Sequence, residues 1–258
     1  MINHKLPPEE WHQRFCLQAS WTASIRRRLY NLADLTYTSH VLEVGSGTGV
    51  ITEELAMLFG IRPIGLDVDP AATVYASSRD RLSSYVTGDG HSLPFPNHRF
   101  DATICHFLLM WIPDPGQVVL EMARVTKPDG WVMALAEPDY GGRIDYPPEL
   151  AECGVMQERS LTAQGADPRV GRKLKTLFTD AGLVLVKAGV LGGEWDSSRS
   201  PEEHASEWRT LASDLGKTLS KEALTSLEEL DREAWENGSR ILYVPTFYAY
   251  GQVAAVST

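Results

Sequence analysis

Short apolar runs alternate with longer segments of helical periodicity between residues 41 and 136. In order, they predict strand 41–44, helix 50–59, strand 63–66, helix 71–78, strand 85–87, strand 101–105, helix 115–126 and strand 131–136. Strands that alternate with helices in this way are typical of βαβ units. We therefore expect a parallel sheet with helices on both faces, since right-handed crossovers place them there.

The pattern loosens on either side of this region. It predicts one helix at 9–35, helices at 149–161, 171–181 and 201–235, and strands at 183–190 and 242–249. The last two strands are separated by a connection that is long for a compact α/β unit. We interpret residues 1–35, 138–170 and 191–240 as a cap over the edge of the sheet.

The charge of the chain bears on its partners. Its 258 residues carry a formal net charge of −10. An acidic surface disfavours nucleic acid and anionic membranes, because both are bound by local excesses of Lys and Arg. The one basic run, Arg26 to Arg28, is expected to form a solvated helix face. No apolar stretch approaches 18 residues, so we expect no membrane span.

The three cysteines, Cys16, Cys105 and Cys153, show no CxxC spacing. They suggest neither a disulfide framework nor a zinc ribbon, and reduced thiols fit a cytoplasmic protein. The first residues have no apolar core of a secretory signal, which supports the same location. The histidines also lack metal-ligand spacing such as H-x-x-x-H, so we expect no metal.

The strongest local signal is a glycine-rich turn after the first strand, Val41 to Gly49 (VLEVGSGTG). Without β-carbons, Gly45, Gly47 and Gly49 allow a ligand to approach the backbone closely. A dinucleotide fingerprint would need glycine or alanine at the sixth position of the turn, where this chain has Val50. Glu43 would moreover repel a pyrophosphate and attract a cationic ligand. The turn therefore favours a cationic nucleoside over a dinucleotide.

The segment Glu43–Gly49 resembles the first motif of class I S-adenosylmethionine-dependent methyltransferases. The resemblance is to the UbiE-like group in particular, whose members methylate small molecules. Further motifs follow in family order: GLDVD at 65–69, TGDG at 87–90 with LPF at 93–95, FDATICH at 100–106, and the bend RVTKPDGW at 124–131. The resemblance to this family is close over residues 40–137. It implies a Rossmann-like, doubly wound α/β fold with a helical cap. The seven-stranded sheet is expected to be mostly parallel, with an antiparallel last strand.

The resemblance also implies the cofactor, S-adenosyl-L-methionine, with S-adenosyl-L-homocysteine as product. The acid of the second motif, Asp67, holds the ribose hydroxyls, and Asp89 accepts from the adenine amino group. The residues that it implies for cofactor binding are Glu43, Gly45, Ser46, Gly47, Gly49, Asp67, Val68, Asp89, Gly90, His91 and His106. The chain is then expected to divide into residues 1–137, with a lid helix and the cofactor-binding half, and residues 138–258, the rest of the same domain with the cap in 138–170 and 191–240.

Two residues are candidates for a general base. His106 ends the fourth strand and titrates near neutrality in water, and Glu137 ends the fifth. In the alternative interpretation, only the carbonyl of His106 acts and its ring packs in the core. Candidates for acceptor contacts are Trp21, Trp111, Tyr140 and Arg143. Turn chemistry or ordinary core packing would explain these four residues equally.

These observations predict methyl transfer to oxygen, nitrogen or carbon of a small organic acceptor, since aromatic residues of the cap are typical of apolar pockets. The expected partner is that small molecule, without nucleic acid or membrane. A protein or nucleic-acid methyltransferase and a cofactor-binding module without turnover remain alternatives, and a nicotinamide dehydrogenase is a more distant one. The sequence does not specify the acceptor, nor does it distinguish a monomer from a homodimer.

Overall fold

The computed structural model describes residues 7–192, 201–216 and 219–255. The predicted cap segments thus include residues 1–6, 193–200 and 217–218, which lie outside the described residues. The strands in the described part are β1 (Val41–Val44), β2 (Ile64–Asp67), β3 (Ser84–Thr87), β4 (Phe100–Cys105), β5 (Thr126–Pro138), β6 (Ile144–Tyr146), β7 (Val184–Leu191), β8 (Ile241–Tyr243) and β9 (Thr246–Gln252).

The α-helices in these ranges are α1 (Pro8–Trp21), α2 (Ala23–Leu32), α3 (Val50–Phe59), α4 (Pro70–Arg79), α5 (Pro115–Val125), α6 (Ala151–Ala163), α7 (Leu174–Asp180), α8 (Pro201–Leu215) and α9 (Lys221–Glu236). Local chemistry fixes several starts. The carboxylates of Asp69 and Asp114 accept from backbone amides in the first turns of α4 and α5, and each helix begins with proline. Both features stabilise a helix N-terminus.

Seven strands form one mixed sheet in the order β3-β2-β1-β4-β5-β9-β7. Neighbours from β3 to β5 are parallel, and β9 runs antiparallel between β5 and β7. The expectation of a mostly parallel seven-stranded sheet with an antiparallel last strand is confirmed. The carboxyl ends of β1, β2 and β4 lie side by side, which brings the motifs that follow these strands to one edge.

The core occupies both faces of the sheet because side chains of a strand alternate between them. In β5, Val132 and Ala134 join one buried cluster with apolar residues of α5 and α7. Met133 and Leu135 join the other, which includes residues of α2 and α3. The central strands are therefore buried on both sides, as expected for a doubly wound sheet.

The cap has a smaller core of its own. Leu150 and Cys153 pack with Trp208, Leu211 and Leu215 of α8, and leucines of α9 complete the cluster. The leucines that predicted helix in this part of the chain are therefore the residues that join α6, α8 and α9. A short antiparallel pair, β6 with β8, borders this cluster.

Three predicted elements differ from the structure. The helix expected at 9–35 is divided at Thr22, whose φ of −111° and ψ of 6° lie outside the helical range. The helix expected at 201–235 is two helices, since the Ser220 side chain accepts from Ala223 N and starts α9 anew. The strand expected at 242–249 is divided into β8 and β9, and Pro245 between them lacks an N–H for a sheet ladder.

The arginine run is a further correction. Arg27 and Arg28 are exposed, but the side chain of Arg26 is 1% exposed. Its guanidinium donates to Glu54 with Nε–Oε1 at 2.9 Å and Nη2–Oε2 at 2.5 Å. The expectation of a solvated face fails at Arg26 because a paired arginine is tolerated in a protein interior. No helix within the described residues is long and apolar enough to cross a membrane.

Candidate functional site

The glycine turn lies between β1 and α3, at the carboxyl edge of the sheet. Gly45 and Gly47 have φ of 76° and 50°, a region that L side chains rarely adopt. A β-carbon on Gly45 would lie 2.5 Å from Leu108 Cδ1, and one on Gly47 would lie 2.9 Å from Phe15 Cε2. Backbone conformation and close packing thus both require glycine at these two positions.

Asp67 joins the second motif to this turn. Its Oδ2 accepts from the backbone amide of Gly47 at 2.7 Å, and its Oδ1 accepts from that of Asp69 at 2.9 Å. Each carboxylate oxygen has more than one lone pair, so hydroxyl donors can be accommodated beside the two amides. Val68, the next residue, is 69% exposed. The end of β2 therefore places a half-buried carboxylate against the backbone of the glycine turn.

Glu43 lies beneath the turn and is buried. Its Oε2 accepts from the hydroxyl of Thr52 in α3. Burial raises the pKa of Glu43 to about 8, and the charge of Asp67 adds to this, although the bond from Thr52 opposes it. Glu43 is therefore mostly protonated at neutral pH, and a cation nearby would ionise it.

The third motif lies at the rim of the same edge. The side chain of Asp89 is 62% exposed, and its Oδ1 accepts from the backbone amide of His91 at 2.9 Å and from the ring Nδ1 at 2.8 Å. These bonds lower the pKa of Asp89, the amide having the largest effect. Gly90 between them packs against Val44 of β1. Asp89 thus stays ionised and available as an acceptor.

Helix α1 covers the turn from above. His12 Nδ1 lies 3.0 Å from Thr48 Oγ1, the Phe15 ring lies against Gly47, and the His12 ring is 5.6 Å from that of Tyr75. Sequence reasoning did not single out His12 for its contact with Thr48. The signal was its position between Trp11 and Phe15, on the segment interpreted as a lid.

The arrangement fits S-adenosylmethionine on one structural observation in particular. The Ser46 hydroxyl, inside the turn, is buried and has no hydrogen-bond partner among the described residues. A buried polar atom of this kind requires a partner, which a bound ligand can supply. The carboxylates at three strand ends suit a nucleoside with hydroxyl, amino and cationic groups.

Comparison with known proteins agrees with this geometry. The "Methyltransferase domain" family matches residues 42–134. An uncharacterized methyltransferase of Schizosaccharomyces pombe is 26% identical over 189 residues, 68% of each chain. A demethylmenaquinone methyltransferase of Corynebacterium glutamicum is 39% identical over 110 residues. This match covers 43% of this chain and 45% of the relative, so the chain spans just under half of that protein.

Among solved structures, a phosphoethanolamine N-methyltransferase of Haemonchus contortus, in complex with phosphomonomethylethanolamine and S-adenosylhomocysteine, has the same fold with a TM-score of 0.58. It is 15% identical, and the alignment covers 98% of this chain and 55% of that one. Residues 42–134 of this chain are a methyltransferase domain, and its fold is that of class I methyltransferases. S-adenosylmethionine is the cofactor of the family, so the prediction of fold, enzyme class and cofactor is confirmed.

His106, at the end of β4, lies against the junction of α1 and α2. His106 Nε2 lies 2.8 Å from Thr22 Oγ1, and the same hydroxyl accepts from Arg26. Burial, together with the positive charge of Arg26, lowers the pKa of His106 to about 3. The imidazole is therefore neutral and weakly basic at physiological pH, which argues against the predicted role as general base.

Glu137 is engaged by the backbone. It is fully buried, and its carboxylate accepts from the amides of Leu108, Leu109 and Met110 at 2.9, 2.8 and 3.3 Å. Burial raises the pKa of Glu137 to about 7, while the three amides act in the opposite direction. These bonds fix the turn after β4, so the geometry favours a structural carboxylate over a base.

The structure places the four predicted acceptor contacts in different surroundings. Trp21 is 49% exposed at the end of α1, and Trp111 packs against the cluster that includes α5 and α7. Arg143 is held inside the cap by Asp145 at 2.6 Å and by Gln157 at 2.5 Å, which argues against its predicted contact with the acceptor. Tyr140 alone of the four lies where charged groups of α1 and α8 meet, as its electrostatic neighbours Arg14 and Asp214 show.

Proposed function

We propose that this methyltransferase transfers a methyl group from S-adenosylmethionine to a small organic acceptor. One observation carries the proposal: α1 closes over the glycine turn through Phe15 and His12, while its Arg14 faces cap residues Tyr140 and Asp214. An acceptor that binds between this helix and these cap residues would be a small molecule rather than a folded protein or a duplex. The acidic charge of the chain supports the same choice.

The cofactor supplies a methyl group on a sulfonium, whose S–C bond breaks with the electron pair staying on sulfur while the acceptor atom forms the new bond. The residues of the chain bind and orient. We propose that Asp67 and Asp89 hold the nucleoside and that the backbone of the turn at Gly45 and Gly47 contacts the cofactor. We also propose that α1 excludes water from the site.

We further propose that the acceptor atom reaches the site with a free electron pair and need not lose a proton before it attacks, because His106 is a weak base and Glu137 is occupied by amides. A carboxylate oxygen, an enolate carbon or a neutral amine would meet this requirement, and a protonated amine product would release its proton to water. Residues 138–170 and 191–240 would act as the acceptor cap. The C. glutamicum relative is named for a small-molecule acceptor, demethylmenaquinone, which is consistent with this class.

The test has two stages. Calorimetry with S-adenosylhomocysteine should show a dissociation constant below about 50 μM, within the usual range for small cofactors. A panel of small carboxylates, amines and enolisable ketones is then incubated with S-adenosylmethionine, and products that have gained one CH₂ are detected by mass spectrometry. Absence of cofactor binding would refute the proposal. Binding without any product, or with product only from protein or RNA, would favour the alternatives.

A further inference from the structure

Arg14 of α1 is partly buried and differs from the paired arginines Arg26 and Arg143. Its guanidinium carbon lies 5.2 Å from the centroid of the Trp11 ring, and no ion pair or hydrogen bond joins it to another described residue. By contrast, Arg26 pairs with Glu54, and Arg143 pairs with Asp145. A partly buried guanidinium has lost some of its hydration, and here no carboxylate of a described residue replaces it. The structure therefore leaves a cation at this place that a ligand can neutralise.

The carboxylate that acts on Arg14 makes no hydrogen bond with it among the described residues. Asp214 acts on it electrostatically from α8, but the carboxylate oxygens of Asp214 accept from Gln157 at 3.0 Å and from Gln164 at 3.3 Å. Asp214 is thus held inside the cap. Burial lowers the pKa of Arg14, though an arginine remains charged at any physiological pH.

Two further donors lie beside Arg14. The indole Nε1 of Trp11 is buried and has no hydrogen-bond partner among the described residues. The hydroxyl of Tyr140 likewise makes no hydrogen bond in the described part of the chain, and burial raises its pKa, so it keeps its proton. Guanidinium, indole and phenol are all donors at neutral pH, and an acceptor-only group would satisfy them together.

We propose that Arg14, with Trp11 and Tyr140, binds an anionic group of the methyl acceptor, a carboxylate or a phosphate monoester. The planar guanidinium matches both groups through two parallel hydrogen bonds. Arg14 and Phe15 are on the same helix, and Phe15 lies against Gly47, so the anion would bind on the helix that covers the glycine turn. In a chain of net charge −10, this unpaired cation also provides a local site of attraction for an anionic substrate. The inference rests on the proposed function and names its substrate class.

The test uses acetate and inorganic phosphate, which are small enough to enter without knowledge of the whole acceptor. The protein is saturated with S-adenosylhomocysteine, and the indole ¹H–¹⁵N signal of Trp11, assigned with Trp11→Phe, is followed at constant ionic strength. Each anion is added to about 50 mM, since simple anion sites have millimolar dissociation constants. We expect a saturable shift with at least one anion, and the anion that saturates distinguishes the carboxylate from the phosphate.

Arg14→Gln should weaken the binding of that anion at least about tenfold, as expected for the loss of a charge-assisted bidentate contact. Arg14→Lys should retain part of it. Arg28→Gln removes the same charge from an exposed site of α2 and should leave the shift unchanged. An absent shift in both titrations, or an equal shift in Arg14→Gln, would overturn the inference. Failure of S-adenosylhomocysteine to bind would instead refute the proposed function, so the two failures are distinguishable.

Discussion

The ring of His106 and the hydroxyl of Thr22 are joined at 2.8 Å although 84 residues separate them in the chain. Thr22 lies at the break between α1 and α2, and His106 follows β4. The contact therefore ties the lid to the edge of the sheet. It also places the imidazole in a buried environment beside Arg26, which accounts for its lowered pKa.

The lowered pKa of His106 predicts a specific pH dependence of stability. In the folded protein the pKa of His106 is about 3, against an ordinary value of 6.5. The contribution of His106 to stability is therefore complete above its pKa in the unfolded state. It is lost as the pH falls below that pKa, because only the unfolded state takes up the proton. Between pH 7 and pH 5 this single group should reduce the free energy of unfolding by at most about 2 kcal/mol.

Urea unfolding at the two pH values measures this effect. His106→Asn should show a smaller loss on acidification than the wild type. Thr22→Val keeps the imidazole buried and should retain most of the wild-type pH dependence. Equal losses in His106→Asn and the wild type would mean that His106 titrates normally in the folded protein.

Glu43 should release a proton when the cofactor binds at pH 7. Its pKa of about 8 in the free protein makes it mostly protonated, and a nearby sulfonium or ammonium favours the ionised form. Calorimetry in buffers of different ionisation enthalpy reports the release. It should be larger for S-adenosylmethionine than for S-adenosylhomocysteine, which lacks the sulfonium charge. Glu43→Gln should abolish the difference between buffers, and an enthalpy independent of buffer in the wild type would contradict the assigned role.

Asp67→Ala should weaken cofactor binding by about 1.5–3 kcal/mol, as expected for the loss of charge-assisted hydrogen bonds. The variant also loses the acceptor for the Gly47 amide, so the turn is less well fixed. Asp67→Asn keeps one oxygen and should lose less. Asp114→Ala removes a carboxylate that caps α5 and serves as the control. An unchanged dissociation constant in Asp67→Ala would show that Asp67 does not hold the nucleoside.

Gly47→Val should abolish cofactor binding. Its β-carbon would lie 2.9 Å from Phe15, and the φ of 50° adds backbone strain of about 1–2 kcal/mol. Gly60→Val is the matched control, because Gly60 has φ of 64° with no atom within 4 Å of its β-carbon position. It should lower the thermal midpoint while cofactor affinity persists. Normal affinity in Gly47→Val would contradict the role of the turn.

Local patterns were sufficient for the centre of the fold. The apolar runs of β1, β2 and β4 and the glycine turn predict a parallel sheet and a ligand site at its carboxyl edge, since strand ends carry the motifs there. The boundaries of elements near the two ends of the chain were harder to predict from the sequence. Helical periodicity continues across Thr22, so the sequence cannot show that the helix breaks where this residue turns toward His106. The division between β8 and β9 depends likewise on which neighbours the strands find.

The sequence by itself determined the class of fold, the methyltransferase domain and the cofactor. The glycine turn is one continuous segment, and the carboxylates that accompany it follow successive strands, so both are visible in the sequence. Tertiary structure decided the chemistry of individual groups. It buried Arg26 in an apparently solvated run, made His106 a poor base, and directed Glu137 to backbone amides. Above all, it placed Arg14 beside Trp11 with no ion-pair partner among the described residues. Burial and long-range pairing set charge and basicity, and neither is encoded in the local pattern of residues.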